Sequence, residues 1–224
     1  MASFRLNCAN IRNCPPPAEL AATIEKYGLP ESEEFGILSC SGNSQAVFAT
    51  LVRKTVQSVQ KLDAANKEVT AAPVEKVTLY PFAVKPAAER LEIYAGSAAG
   101  IEQIGTFLAS ALGLATSVEP VELDVAWAVG KLMKETKNCQ LKSIRVKEFA
   151  HNSYICGPYA PKFLDSEHGK DFLEEHAELL TSAAVKFNVK TGKANVSLSP
   201  TGCFTYSCHE DCQQEVQGIL RTLV

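Results

Sequence analysis

Apolar side chains recur along this chain at two spacings, every second residue in some stretches and every third or fourth in others. The first is the mark of a half-buried strand and the second of an amphipathic helix. Phe4 to Ile11 alternates and predicts a strand. Pro15, Pro16 and Pro17 then open a helix, because the first helical turn has no use for their missing N–H groups. Leu20, Ile24 and Tyr27 form the stripe of that helix, and Gly28 with Pro30 ends it.

Residues 35–40 and 46–58 read as two arms of a hairpin around Ser41-Gly42-Asn43-Ser44. Residues 63–73 are polar and Ala-rich and read as a loop or linker. A second strand pair follows at 75–84 and 90–95, with Pro81 marking an edge or a bulge because it cannot donate to a ladder. Ser97 caps a helix whose face is Ile101, Ile104, Leu108, Ala111 and Leu112, and Gly113 closes it. A short strand over 118–123 leads to a helix capped by Asp124, with Val125, Val129, Leu132 and Met133 inward.

Residues 140–149 alternate, 154–161 are irregular, and Phe172, Leu173, His176, Ala177 and Leu180 mark a helix with an acidic outer face. Val185, Phe187 and Val189 alternate with polar residues up to a hairpin turn at Thr191-Gly192, where glycine would supply positive φ. Val196 and Leu198 lie on the return strand and Cys203 to Tyr206 form another. Ser207 and Glu210 then read as a capping box for a last helix with Cys212, Val216, Ile219, Leu220 and Leu223 inward.

The fold class that follows is α+β, with mainly antiparallel sheet built from hairpins and helices packed on one side. Residues 76–112 read strand, strand, helix and residues 184–223 read strand, strand, short strand, helix, which suggests a pseudo-repeat. In element order this resembles the saddle-shaped TATA-binding proteins, and the resemblance stops at element order. The 224 residues suit a single compact unit over 1–224, or two lobes at 1–115 and 116–224.

Composition narrows the class. Hydrophobic residues are 46% and charged residues 21%, enough for an ordinary core and too apolar for a disordered chain. No secretory leader and no apolar run long enough for a membrane helix is visible, so a soluble cytoplasmic protein is expected. The eight cysteines are therefore expected reduced, mostly as small buried hydrophobes.

Candidate chemistry is sparse. Phosphate-binding glycine loops and H-E-x-x-H are absent. Cys203, Cys208, His209 and Cys212 are weak candidates for a metal or a reactive thiol at a helix start, without the paired C-x2-C knuckles of a zinc ribbon. No catalytic residue, metal or cofactor is assigned.

Charge is distributed more unevenly than a net value of −3 suggests. Lys131, Lys134, Lys137, Lys142, Arg145 and Lys147 stand against one acid, Glu135, while the stretch from Asp165 to Glu178 is strongly acidic. Alternation puts Lys142 on one side of its strand with Ile144 and Val146, and Arg145 and Lys147 on the other. Such a patch can follow a phosphate backbone, which asks only for point charges. The expected function is a non-enzymatic binding or regulatory module contacting nucleic acid or an acidic partner through Lys131, Lys134, Lys142, Arg145 and Lys147. The alternatives are a cysteine- or metal-dependent enzyme or sensor at the C-terminal cluster, and an interaction subunit docking through its acidic helix.

Overall fold

The computed structural model describes residues 2–29, 35–63, 67–94, 99–113, 116–152, 155–164 and 166–224. Among them are eleven strands and five α-helices. Every strand pairing given a register is antiparallel. The chain forms two compact units, Ile11–Val118, and Met1–Asn10 with Glu119–Val224. The first ten residues thus belong with the C-terminal half.

In the Ile11–Val118 unit, α1 (Pro17–Glu25) is followed by β2 (Phe35–Gly42), β3 (Val47–Asp63), β4 (Glu68–Lys85), β5 (Arg90–Ile93) and α2 (Ala99–Leu112). The strands pair in the order β2-β3-β4-β5. The turn between β2 and β3 closes on Asn43, whose Oδ1 accepts from the N–H groups of Gln45 and Ala46, both at 2.8 Å. Such a side-chain bond stands in for a backbone turn. Parity along β3 and β4 sends Val47, Ala49, Leu51, Tyr80, Phe82 and Val84 to one side, all buried. Leu20 and Ile24 of α1 and Ile104 and Leu108 of α2 are buried as well, and the Cys40 thiol donates to Ala21 O at 3.9 Å.

One expectation changes here. Residues 68–73 belong to β4 rather than to a linker, and the register runs unbroken from Val47↔Val84 to Asp63↔Glu68. Ala, Pro and Glu are poor strand formers alone, but a long partner rich in Val and Thr holds them extended. Ser97 lies outside the described residues. Gly113, at φ 94, ends α2 as expected.

The second unit is built on β1 (Ala2–Arg12), of which it takes residues up to Asn10, with α3 (Val125–Glu135), β7 (Lys137–Asn152), β8 (Ile155–Tyr159), α4 (Ser166–Glu175), β9 (Leu180–Val189), β10 (Gly192–Leu198), β11 (Cys203–Cys208) and α5 (Gln213–Arg221). The short strand β6 (Ser117–Pro120) pairs with β1. The order in this sheet is β1-β11-β10-β9-β7-β8.

Strict alternation divides the sheet. Phe204, Tyr206, Val196, Leu198, Val185 and Phe187 are buried on one side. The helices lie on that side. Gln217 of α5 donates to the Tyr206 hydroxyl at 2.8 Å, and Gly169 of α4 sits so close to Leu141 that a Cβ there would stand 3.2 Å from it. The helix α3 lies between them, sharing a groove with α4 and donating from Lys131 Nζ to Thr222 O at 2.6 Å, just past α5.

Asp124 caps α3 as expected, accepting from Trp127 N at 2.9 Å. Asp124→Ala is expected to lower stability by about 1 kcal/mol in urea unfolding, while Asp124→Asn loses a few tenths.

Four local expectations are corrected. Residues 155–159 form β8, paired with β7 through bulges. Leu180 opens β9 instead of closing α4. The β9–β10 turn is at Lys190-Thr191, and Gly192 is already in β10 without positive φ; Glu215 secures this turn by accepting from Lys190 N at 3.1 Å. Ser207 stays in β11, so there is no capping box; a 3-10 turn at Glu210–Cys212 precedes α5. Pairing with β1 as far as Ala2↔Cys208 carries the strand past the capping position.

Candidate functional site

The side of these strands away from the helices of their unit is polar. Two rows cross five strands on it. Ser3, Ser207, Asn195, Lys186 and Gln140 are successive cross-strand partners in one, and Arg5, Thr205, Ser197, Ala184 and Ser143 in the other. All are exposed or half-buried. Four interstrand spacings make each row about 19 Å wide. Asn195 Nδ2 donates to Ser207 Oγ at 3.5 Å, which confirms that these two point the same way.

The basic residues fall on this face. Arg145 pairs with Ser182 beyond the second row, and Lys193 stands two residues before Asn195 on β10. Lys142 is the instructive case. Simple alternation places it with Ile144 and Val146, which are buried. The register shift between Leu141 and Ser143 inserts Lys142 as an extra residue and turns it outward. A bulge re-aims one side chain at the cost of one ladder bond, far less than burying an ammonium group. Its Nζ donates to Gln140 Oε1 at 2.7 Å. Lys142 borders a shallow depression of about 250 Å³ floored by Ala184, Ser197 and Thr205. Lys147 is exposed one residue past Val146, before Glu148, whose φ is 53°.

The other two candidates lie elsewhere. Lys131 and Lys134 are on α3, among the helices. They line a groove of about 490 Å³ with Trp127, Lys170 and Glu174, and Lys131 Nζ lies 5.0 Å from the Trp127 ring centroid. The basic run in the sequence is therefore split between two sides of the unit. Three residues on the sheet face are not part of that run: Arg5, Lys186 and Lys193. Their strand parity was readable, but their neighbours were not.

Among β1, β7, β9, β10 and β11 the only acid is Glu148. Acids gather on the helical side instead, at Glu135, Asp171, Glu174, Glu175, Glu178, Glu210, Asp211 and Glu215. The near-neutral total conceals a unit with a cationic sheet face and an anionic helical side, and local field rather than net charge governs what approaches each. The aromatic rings Phe187, Phe204 and Tyr206 are all buried on the helical side.

The C-terminal cysteines and His209 are dispersed. Cys203 points to the sheet face, Cys208 and Cys212 are buried, and His209 is exposed with Nδ1 3.1 Å from Asp211. Among the described residues no group of three or more His, Cys, Asp and Glu is placed to hold a metal ion. Cys208 ends a strand rather than starting a helix, and burial, then the neighbouring Cys212, pushes its thiol pKa up. None of the eight cysteines is in a disulfide.

Burial also raises Cys14, to about 11, and raises Cys40, Cys139 and Cys203. A raised pKa leaves less thiolate at pH 8, and thiolate is the nucleophile. Peptide mapping after timed alkylation is expected to show exposed Cys156 modified first and Cys8, Cys208 and Cys212 only on unfolding. Early modification of Cys208 would restore the reactive-thiol reading.

No helix of the described residues is long and apolar enough to cross a membrane. No protein-family model matches the chain, and no curated protein matches it.

Proposed function

We propose that this protein is a non-enzymatic binding module and that the open sheet face of its unit of Met1–Asn10 and Glu119–Val224 takes the sugar–phosphate backbone of a nucleic acid. One observation supports this above others. Arg5, Lys142, Arg145, Lys186 and Lys193 share a face about five strands wide, with hydroxyl and amide side chains between them. Cations supply most of the affinity for a polyanion, and Ser, Thr and Asn add hydrogen bonds to phosphate oxygens. With the rings turned to the helices, stacking on bases has no platform. The reading is therefore backbone contact without base discrimination.

Fluorescence anisotropy with labelled duplex DNA, single-stranded DNA and RNA tests it across a salt series. Five cation contacts predict a slope of log affinity against log salt of about −4. Binding is expected to vary little with base sequence. Absence of salt-dependent binding to any of the three would end the reading. Binding to polyglutamate with none to nucleic acid would reassign the face to an acidic protein.

A further inference from the structure

The hairpin of β3 and β4 outruns the strands beside it. Among the described residues, pairing with β2 reaches to Arg53, and pairing with β5 covers Phe82 to Lys85, with Tyr94 N donating to Pro81 O just beyond. Among the described residues, from Lys54↔Val77 to Asp63↔Glu68 the two strands pair only with each other, in unbroken register. Parity gives it two different sides. One carries Val56, Leu62, Val69 and Val77, exposed by 70%, 71%, 61% and 53%, with Ser58 and Gln60 between them; toward the base, Leu79 and Phe48 are part-exposed beside Val52 and Ala83, which are buried. The other side carries Thr55, Gln57, Lys76 and Thr78 around Val59 and Val74. An isolated two-stranded hairpin is marginal in water, and a run of exposed Val and Leu on one side marks a surface that something covers.

We propose that this face is the contact through which two copies of the chain associate. Charge carries the choice of occupant. Among the described residues of this side the charged ones are Lys54 and Glu75, of opposite sign and on neighbouring positions, since Lys54 pairs with Val77 and Val56 with Glu75. A two-fold axis lying across the ribbon between these two pairs sets each Lys54 beside Glu75 of the other copy. On β3 that axis falls midway between Lys54 and Val56. This is also the midpoint of the stretch from Phe48 to Leu62, so Phe48 of one copy meets Leu62 of the other. A face that is its own complement under one rotation is what an isologous dimer requires.

Size sets the expected strength. Fourteen residue steps of about 3.4 Å by two strands give roughly 48 by 10 Å, at most about 480 Å² in projection, since Val52 and Ala83 are already buried. Specific interfaces start near 600 Å² of accessible surface per partner, so the dissociation constant is expected in the micromolar range. The edges of β4 discourage the alternative of strand addition there, because Pro73 and Pro81 lack N–H donors.

Sedimentation velocity on the full chain between about 1 and 100 μM tests this. The expected result is a concentration-dependent monomer–dimer equilibrium. Val56→Glu with Leu62→Glu is expected to leave only monomer. Both residues are mostly exposed, so an unchanged far-UV circular dichroism spectrum keeps this variant interpretable. Lys54→Glu or Glu75→Lys alone is expected to weaken the dimer about tenfold, and the two together to restore it. A wild-type chain that stays monomeric throughout overturns the proposal. So does a Val56→Glu/Leu62→Glu chain that dimerises like wild type, or flotation of monomer with phosphatidylcholine vesicles, which would assign the face to lipid.

Discussion

Lys142→Glu, Arg145→Glu and Lys186→Glu combined are expected to reduce nucleic-acid affinity about a thousandfold or more at 100 mM salt. Each reversal removes one cation that would release a condensed counterion, and adds an anion facing the phosphates. The salt slope is expected to fall by about three, one unit per lost contact. These side chains are exposed or half-buried, so folding is not at stake. The informative control is Lys131→Glu with Lys134→Glu. Those two residues belong to the same basic stretch of sequence but stand on α3, on the helical side. Sheet-face binding predicts that the control pair keeps wild-type affinity. Loss on the α3 pair with retention in the sheet triple would move the interface to the groove beside Trp127.

The largest expected loss of stability comes from Lys85→Met. Glu92 is fully buried in the Ile11–Val118 unit; Lys85 Nζ donates to its Oε1, and the Tyr94 hydroxyl donates to Oε2 at 2.8 Å. Removing the ammonium group leaves a carboxylate in a site without bulk water. Breaking a buried pair from one side costs about 3–5 kcal/mol. Glu92 has at least one further interaction, which places the expected cost near 3 kcal/mol. Urea unfolding followed by circular dichroism measures it. Lys85→Met with Glu92→Leu is expected to recover most of the loss, because no charge then remains to be solvated. A Lys85→Met chain as stable as wild type would show that Tyr94 and the remaining contacts suffice.

The fold was legible where periodicity was strong. The alternation of Val185 and Phe187, and the helical stripes of Ile101, Ile104 and Leu108 and of Val125, Val129 and Leu132, correspond to buried faces. Both patterns come from local geometry, two residues per pleat and 3.6 per turn, which the order of side chains encodes directly. The class, helices mixed with an antiparallel sheet, follows from them. The pseudo-repeat did not gain support. The two units are built from different strand orders, β2-β3-β4-β5 and β1-β11-β10-β9-β7-β8.

The candidate site was only half legible. Lys142 and Arg145 stand out by charge, but Arg5 and Lys186 join them only because β1 and β9 lie in the same sheet. Lys142 reaches that face through a bulge, which no alternation rule announces. Lys131 and Lys134 are close to it in sequence and are separated from it by the buried core. Side-chain parity, the helix cap at Asp124 and the overall class were determined by the sequence, because each depends on residues a few positions apart. Which strands became neighbours, where the register slipped and which charges came to share a surface were decided by the tertiary structure alone, because those depend on pairings between residues as distant as Arg5 and Thr205.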